Sequence, residues 1–373
     1  MWQKFDYILL ITVVALATIG LMVLSSAMIG YKPEVVRKSL IVQIGGFIVG
    51  VGIAIGLSFV DYIIFKHIAI FFYAANIFMM LLIYTPLAKE ETYGGRNWLD
   101  FGVITYQPSE LMKLATIIMV AVCLEEMRQD NGRILYNVFR IGFFFGLPLI
   151  MVLSQKDLGT ALVFVCFFVA MVFVAGLKLR YFAAVGTFLA IAFPFVWKFY
   201  LSKDEVRSAR LISFLNPEND PQKTGFQALK AKWAIGSGQL TGKGIGNGPM
   251  NNALSVPIKD SDFIFSVIGE ELGFIGTSVL VVIFMIMLIK MVNISRKSAD
   301  YFGEYVSIGI FAMFAFHFLE NVGMNIGLMP ITGIPLPFIS VGGSALLTNF
   351  VSIGVLLSIS ARRKVEGFFS EEN

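Results

Sequence analysis

An all-α polytopic membrane protein is what the sequence predicts, with about ten transmembrane helices and one long extracellular loop between the seventh and the eighth. Composition is the first reason. Of 373 residues, 57% are hydrophobic and 14% charged, against roughly 25% charged in soluble domains, and the mean hydropathy is +0.78. Length is the second: ten apolar runs, near 6–28, 39–60, 63–87, 108–126, 137–154, 157–176, 180–200, 262–291, 303–328 and 342–361, each approach the roughly 17–25 residues a spanning helix needs. Third, hydrophilic sequence concentrates in one place, near 201–261. Residues 1–373 therefore read as a single integral membrane domain that contains one long extracytoplasmic loop.

The first run is too long for the apolar part of a secretory signal and is followed by nine others, so it reads as a retained helix. Placing the N-terminus inside puts thirteen Lys and Arg residues on the inner side, Lys66, Arg128, Lys290 and Arg362 among them, and seven in the short outer connections. Basic residues favour the cytoplasmic side of short loops, which predicts a multi-pass membrane protein with both termini cytoplasmic. The net charge of +4 is then a matter of topology and gives no reason to expect a nucleic-acid partner. Cys123 and Cys166 fall inside apolar runs, and His67 and His317 lie far apart in sequence. That pattern supports neither a disulfide nor a Cys/His zinc site.

A connection of some sixty residues between packed spans exceeds the usual roughly 12–15 and is more often functional than passive. Within it, GFQALKAKWAIGSGQLTGKGIGNG carries glycines at 236, 238, 242, 244, 246 and 248. Such spacing suits tight turns, close approach of backbone to a ligand, or a flexible exterior loop. A nucleotide phosphate loop is excluded, because Ser237 stands where its first glycine should be and Gly244 follows Lys243 where Ser or Thr is required. Arg210, Lys230, Lys232 and Lys243 incline the loop towards an anionic ligand.

Ionisable residues inside spans are costly and face a cavity or a partner. Glu110 and Lys113, in YQPSELMK, fall three residues apart on one helix face behind Pro108, so an ion pair that fixes the helix is one reading and a polar site is the other. Asp157, in SQKDLGTA, starts the sixth run as a helix cap or as a site residue. Asp262 begins the eighth run, with Glu270 eight residues further on and roughly 12 Å deeper at 1.5 Å per residue. The helix dipole would hold its carboxylate ionised while burial beside Phe263 and Phe265 would oppose that, and the sequence leaves the balance open. After the ninth run, Pro330, Pro335 and Pro337 forbid regular helix until Gly342 and Gly343. Irregular backbone at that depth must line a cavity or pack on protein, which predicts a pocket bordered by this segment and the glycine loop, with Asp262 on its wall.

GGRNWLDFGVITYQPSE, SQKDLGTA, FLNPENDP, AIGSGQLTGKGIGNG, DSDFIFSVIGEELGFIG and GLMPITGIPLPFISVGGSA occur in this order, and the sequence resembles the SEDS family (shape, elongation, division and sporulation), its RodA-like members most of all. The likeness covers most of the chain. Lys156 stands where the family often has proline, and Val341 where it often has tyrosine.

The resemblance implies a peptidoglycan glycosyltransferase that polymerises lipid II, an undecaprenyl-pyrophosphate disaccharide-peptide, at the outer membrane surface for cell elongation, beside a class B penicillin-binding protein that cross-links the strands. Asp262 matches the family's essential aspartate, in a role that suits a general base. Pyrophosphate leaves as a stable anion, and Arg210, Lys232, Lys243 or a divalent cation such as Mg2+ or Mn2+ could neutralise it. Glu110, Lys113 and Asp157 complete the expected substrate-binding set. The alternatives are a lipid II flippase, with those polar residues as its path, and a scaffold that positions the transpeptidase.

Overall fold

The computed structural model describes residues 5–89, 96–102, 105–129, 134–178, 224–249 and 259–363, together with 180 and 187. Among the described residues ten α-helices dominate: α1 (Tyr7–Ala27), α2 (Pro33–Phe59), α3 (Ile63–Leu81), α4 (Pro108–Gln129), α5 (Ile134–Ser154), α6 (Leu158–Val174), α7 (Thr224–Ser237), α8 (Ile264–Arg296), α9 (Tyr301–Ile326) and α10 (Gly343–Ala361). The chain is an all-α polytopic membrane protein. Nine of the expected runs appear as helices, and the run near 180–200 lies almost wholly outside the described residues. Between α3 and α4, short strands β1 (Ala88–Lys89), β2 (Trp98–Asp100) and β3 (Thr105–Tyr106) form an antiparallel sheet in that order.

Side-chain chemistry sorts the helices into lipid-facing and central. Among the described residues, seven helices are long and apolar enough to cross a membrane, and their outward faces carry bare apolar side chains such as Ile11, Phe71 and Phe139. Water would penalise such surface, whereas lipid does not. Helix α4 is the opposite case. Glu110, Lys113, Glu125, Glu126 and Arg128 make it too charged to face lipid, yet every residue from 112 to 125 is buried, enclosed by α3, α5, α6, α9 and α10. Helices α9 and α10 share this centre and bury Ser307, Asn321, Asn325, Ser352 and Ser358.

Capping fixes where several helices start. Asp6 caps α1 by accepting from the Leu9 amide at 3.0 Å, Asp157 caps α6 by accepting from the Thr160 amide at 2.9 Å, and Asp300 caps α9 by accepting from the Gly303 amide at 2.7 Å. Each satisfies a donor that the first turn leaves orphaned. Ion pairs gather at the end of the bundle that holds Asp6 and Arg362: Lys66 with Glu125 at 2.6 Å, Arg140 with Glu126, Lys290 with Asp6 at 3.4 Å, and Arg362 with Asp61 at 3.6 Å. These basic residues all belong to the set that the sequence places inside.

One expectation is corrected, and one open reading is decided. The eighth run is not one continuous helix, because Gly273 adopts φ 65° and ψ −165° and divides α8 after Leu272. The glycine loop, with α7 before it, serves this break instead of hanging free. Lys243 and Gly244 donate backbone amides to the carbonyls of Glu270 and Glu271 at 3.0 and 2.9 Å, while Phe274 and Ile275 donate to the carbonyls of Gln239 and Leu240 at 2.8 and 3.0 Å. A broken helix in lipid must have its freed groups satisfied by protein, and the loop supplies them in both directions. This needs contact between bare backbones: a Cβ on Gly238 would sit 1.9 Å from the Gly269 carbonyl oxygen.

Gly238→Ala should therefore lower the melting temperature of the purified protein, by an amount corresponding to ~1–3 kcal/mol of overpacking. Gly236→Ala is the control, since a Cβ there meets nothing within 4 Å and alanine is the better helix former by roughly 1 kcal/mol. Its melting temperature should equal or exceed the parent's.

Candidate active site

Asp262 lies just before α8, at the end of the bundle opposite the ion-pair cluster, and its main chain is held from several sides. Asn321 and Asn325, one turn apart on α9, both donate side-chain amides to the Asp262 carbonyl, at 2.9 and 3.0 Å. Asn321 also donates to the Ile334 carbonyl at 2.8 Å, and the Asn325 side-chain oxygen accepts from the Ser266 amide at 3.2 Å. Ser340 donates to the Ser261 carbonyl at 2.7 Å, and the Val341 amide to the Asp260 carbonyl at 2.9 Å. The irregular stretch from Gly327 to Gly342 thus packs on protein, as its prolines require.

The Asp262 carboxylate is part-exposed. One oxygen accepts from the Ser261 hydroxyl at 2.9 Å, and the other lies beside Gly333, 3.4 Å from where a Cβ would be. Gly333 is itself exposed with φ 79°, so the carboxylate stands at an open mouth next to bare backbone. Behind it, Asp260 accepts from the Tyr31 hydroxyl at 3.1 Å. Lys259, fully buried, donates to the Ile29 carbonyl at 3.3 Å. Burial pushes the Lys259 ammonium below its usual pKa range, against the attraction of Asp260, Glu271 and Glu270.

Glu110 and Lys113 come together as expected. The Lys113 ammonium, 2% exposed, donates to Glu110 at 2.8 Å, and a third partner joins them: His317 on α9, whose Nε2 lies 3.0 Å from the ammonium. His317 Nδ1 is 2.7 Å from the Met313 carbonyl. A carbonyl only accepts, so Nδ1 carries the proton and Nε2 accepts from Lys113. Asp157 is within electrostatic range of both Lys113 and Glu110, and its two oxygens accept from the Thr160 amide and hydroxyl. Lys156, the residue before it, has φ 63°, which proline cannot adopt, so the departure from the family's usual proline goes with a different local backbone.

A narrow crevice, about large enough for one water molecule, runs from Glu110 and His317 to Pro335, Pro337, Phe338 and Asn349. Asp262 and the glycine loop do not line this crevice. The proline segment reaches both places because it crosses from Asp262 to the crevice, whereas the glycine loop is committed to the helix break. Lys232 packs against Gly327, the left-handed C-cap of α9, where an ammonium complements the negative end of the helix dipole. Lys243 is exposed, and Arg210 lies outside the described residues.

Sequence reading gave no site role to His317, Glu320, Asn321 and Asn325. Their signal was present, because the spacing of three and four places them along one face of an apolar run, and polar groups recurring on one face of a span point inward. Removing one member of the buried pair should expose its value: Lys113→Met strands the Glu110 carboxylate and should cost about 3–5 kcal/mol. Adding Glu110→Gln should recover part of that loss, so that the double-mutant cycle measured by melting temperature is less than additive.

Comparison with known proteins agrees with this architecture. A family model described as cell cycle protein, FtsW/RodA/SpoVE, matches residues 7–365. The peptidoglycan glycosyltransferase RodA of Treponema pallidum is 31% identical over 430 residues, covering 97% of this chain and 98% of that protein. The peptidoglycan glycosyltransferase MrdB of Escherichia coli is 32% identical over 299 residues, covering 79% of this chain and 78% of that protein. A chain of a peptidoglycan synthase complex that coordinates polymerization and crosslinking superposes with a TM-score of 0.79 at 26% identity, over 96% of this chain and 98% of that one. The rod shape determining protein RodA of Thermus thermophilus shares the fold, with a TM-score of 0.70. This chain belongs to the FtsW/RodA/SpoVE family of cell cycle proteins.

Proposed function

We propose that the protein is a peptidoglycan glycosyltransferase that polymerises lipid II at the outer membrane-water interface, with Asp262 as general base. The observation that carries the assignment is the placement of Asp262: its main chain is clamped by Asn321 and Asn325 while its carboxylate stands part-exposed beside Gly333. A base needs a fixed origin and an open approach, and this arrangement offers both. The names of the relatives support the reaction.

In the proposed step Asp262 takes the proton of the acceptor sugar hydroxyl as that oxygen attacks the anomeric carbon of the donor. The bond from that carbon to the diphosphate oxygen breaks, and its electron pair leaves with the lipid diphosphate. Asp262 then returns the proton to water. Lys232, Lys243 and Arg210 are the cations proposed to meet the diphosphate, with Lys113 and Glu110, braced by His317, and Asp157 forming the deeper polar wall. A divalent cation such as Mg2+ or Mn2+, bound through the diphosphate oxygens and one or two carboxylates, would neutralise the same leaving group.

A class B penicillin-binding protein is the proposed partner, supported by the resemblance to a chain of a synthase complex that joins polymerization to crosslinking. Both termini are assigned to the cytoplasm, supported by the gathering of Lys66, Arg140, Lys290 and Arg362 at one end of the bundle. Cell elongation is the assigned role, on the RodA-like resemblance.

Asp262→Asn should reduce lipid II polymerisation by purified protein ~10²–10⁴-fold while leaving the melting temperature near the parent's. Asp260→Asn should stay close to the parental rate, because the backbone bond from Val341 to residue 260 survives the change. Near-parental polymer from Asp262→Asn would remove the assignment. Lipid II translocation without polymer by the unmodified protein would establish the flippase reading instead.

A further inference from the structure

Glu320 is a buried acid that the proposed reaction does not use. It lies on α9, 3% exposed, and among the described residues no cation forms a salt bridge with it. Burying a carboxylate without a counter-ion is unfavourable, and the group it does meet is informative: its Oε1 accepts from the Thr332 hydroxyl at 2.8 Å.

Thr332 joins three elements. Its hydroxyl is held by α9 through Glu320. Its backbone rests on α6, where a Cβ added to Gly159 would come within 2.9 Å of the Thr332 carbonyl oxygen. Its successor in the chain is Gly333, the residue beside the Asp262 carboxylate. On the other side of Gly333, the Ile334 carbonyl accepts from Asn321 at 2.8 Å, and the same Asn321 amide reaches the Asp262 carbonyl. Consecutive residues of α9 therefore pin both neighbours of Gly333: Glu320 holds Thr332, and Asn321 holds Ile334.

We propose that Glu320 is a positioning residue for glycosyl transfer, acting through Thr332 to fix the Gly333 backbone that forms the wall beside the Asp262 carboxylate. This rests on the assignment of Asp262 as the base. Loss of the Glu320 bond frees one side of the Thr332–Ile334 segment and leaves the other tied to Asn321, so the wall swings while the main chain of Asp262 stays clamped. Turnover falls because the base is less well oriented, and lipid II affinity is retained because neither Glu320 nor Thr332 is assigned to hold substrate. A carboxylate is not needed for its charge, since any acceptor oxygen at that position can receive the hydroxyl.

The test measures kcat and KM for lipid II polymerisation by the full-length purified protein carrying Glu320→Ala, Glu320→Gln, Thr332→Val, the Glu320→Ala/Thr332→Val double change, or Asp262→Asn. Glu320→Ala and Thr332→Val should each lower kcat about tenfold with KM within about twofold, since misplacement of well under 1 Å is involved. Glu320→Gln keeps the acceptor oxygen and should restore a near-parental rate, and the double variant should be no slower than the slower single change, because both remove one interaction. A parental kcat for Thr332→Val, losses that multiply in the double variant, or a Glu320→Gln as slow as Glu320→Ala would each overturn the proposal. Should Glu320→Ala fail to fold, Thr332→Val and Glu320→Gln still decide it. Asp262→Asn separates the two levels: if it polymerises lipid II, the assignment of the base falls and this inference with it, whereas an inactive Asp262→Asn beside a parental Thr332→Val removes the positioning role alone.

Discussion

Inside a bilayer no water is at hand to satisfy a backbone amide, a carbonyl or a charge, so each must find its partner within the protein. The irregular features of this molecule follow from that constraint. Where Gly273 interrupts α8, the carbonyls of Glu270 and Glu271 and the amides of Phe274 and Ile275 lose their helical partners, and residues 239–244 replace them bond for bond. Where the prolines after α9 prevent a helix, Asn321, Ser340 and Gln43 reach the unpaired main chain. Where α4 carries charges to the centre, Lys113 is shared between Glu110 and His317.

Satisfying these groups also makes the irregular backbone rigid, and rigidity is what a reaction centre needs. A regular helix presents only side chains, because its own amides and carbonyls are paired internally. Unwound chain can place bare backbone beside a carboxylate, as Gly333 does beside Asp262, provided something else holds it still. The polar face of α9 does this: Glu320, Asn321 and Asn325 spend their hydrogen bonds on the loops around Asp262, and His317, one turn before, completes the cluster on α4. One helix therefore fixes both the exposed carboxylate and the deeper polar wall.

The spans were legible in the sequence because a spanning helix must be apolar for most of its length, which is a property of consecutive residues. The pairing of Glu110 with Lys113 was legible too, since three residues of helix bring them to one face. Harder to read were features that depend on two distant segments meeting. The glycines near 238 and 242 look alike whether a loop is free, binds an anion or packs on backbone, and only the approach to Glu270 and Glu271 decides among these. Likewise Gly273 is one glycine in an apolar run until its φ and ψ show the break. The bracing residues of α9 were visible as a polar stripe in ENVGMNIG, but which loop each holds lies in the fold.

Helix direction completes the electrostatic picture of the site. Helices α4, α6, α8 and α10 all begin at the end of the bundle that holds Asp262, and a helix start carries about half a positive elementary charge from its unpaired amides. The first turns of α6 and α8 lie directly around the mouth, through Gly159 against Thr332 and Asp262 ahead of Ile264. Helix α9 ends in the same region and would contribute the opposite sign, but the Lys232 ammonium sits against its C-cap at Gly327. The starts of α6 and α8 thus favour an anion at the mouth. Those positive helix starts suit the proposed diphosphate-bearing substrate at the surface where the reaction is assigned.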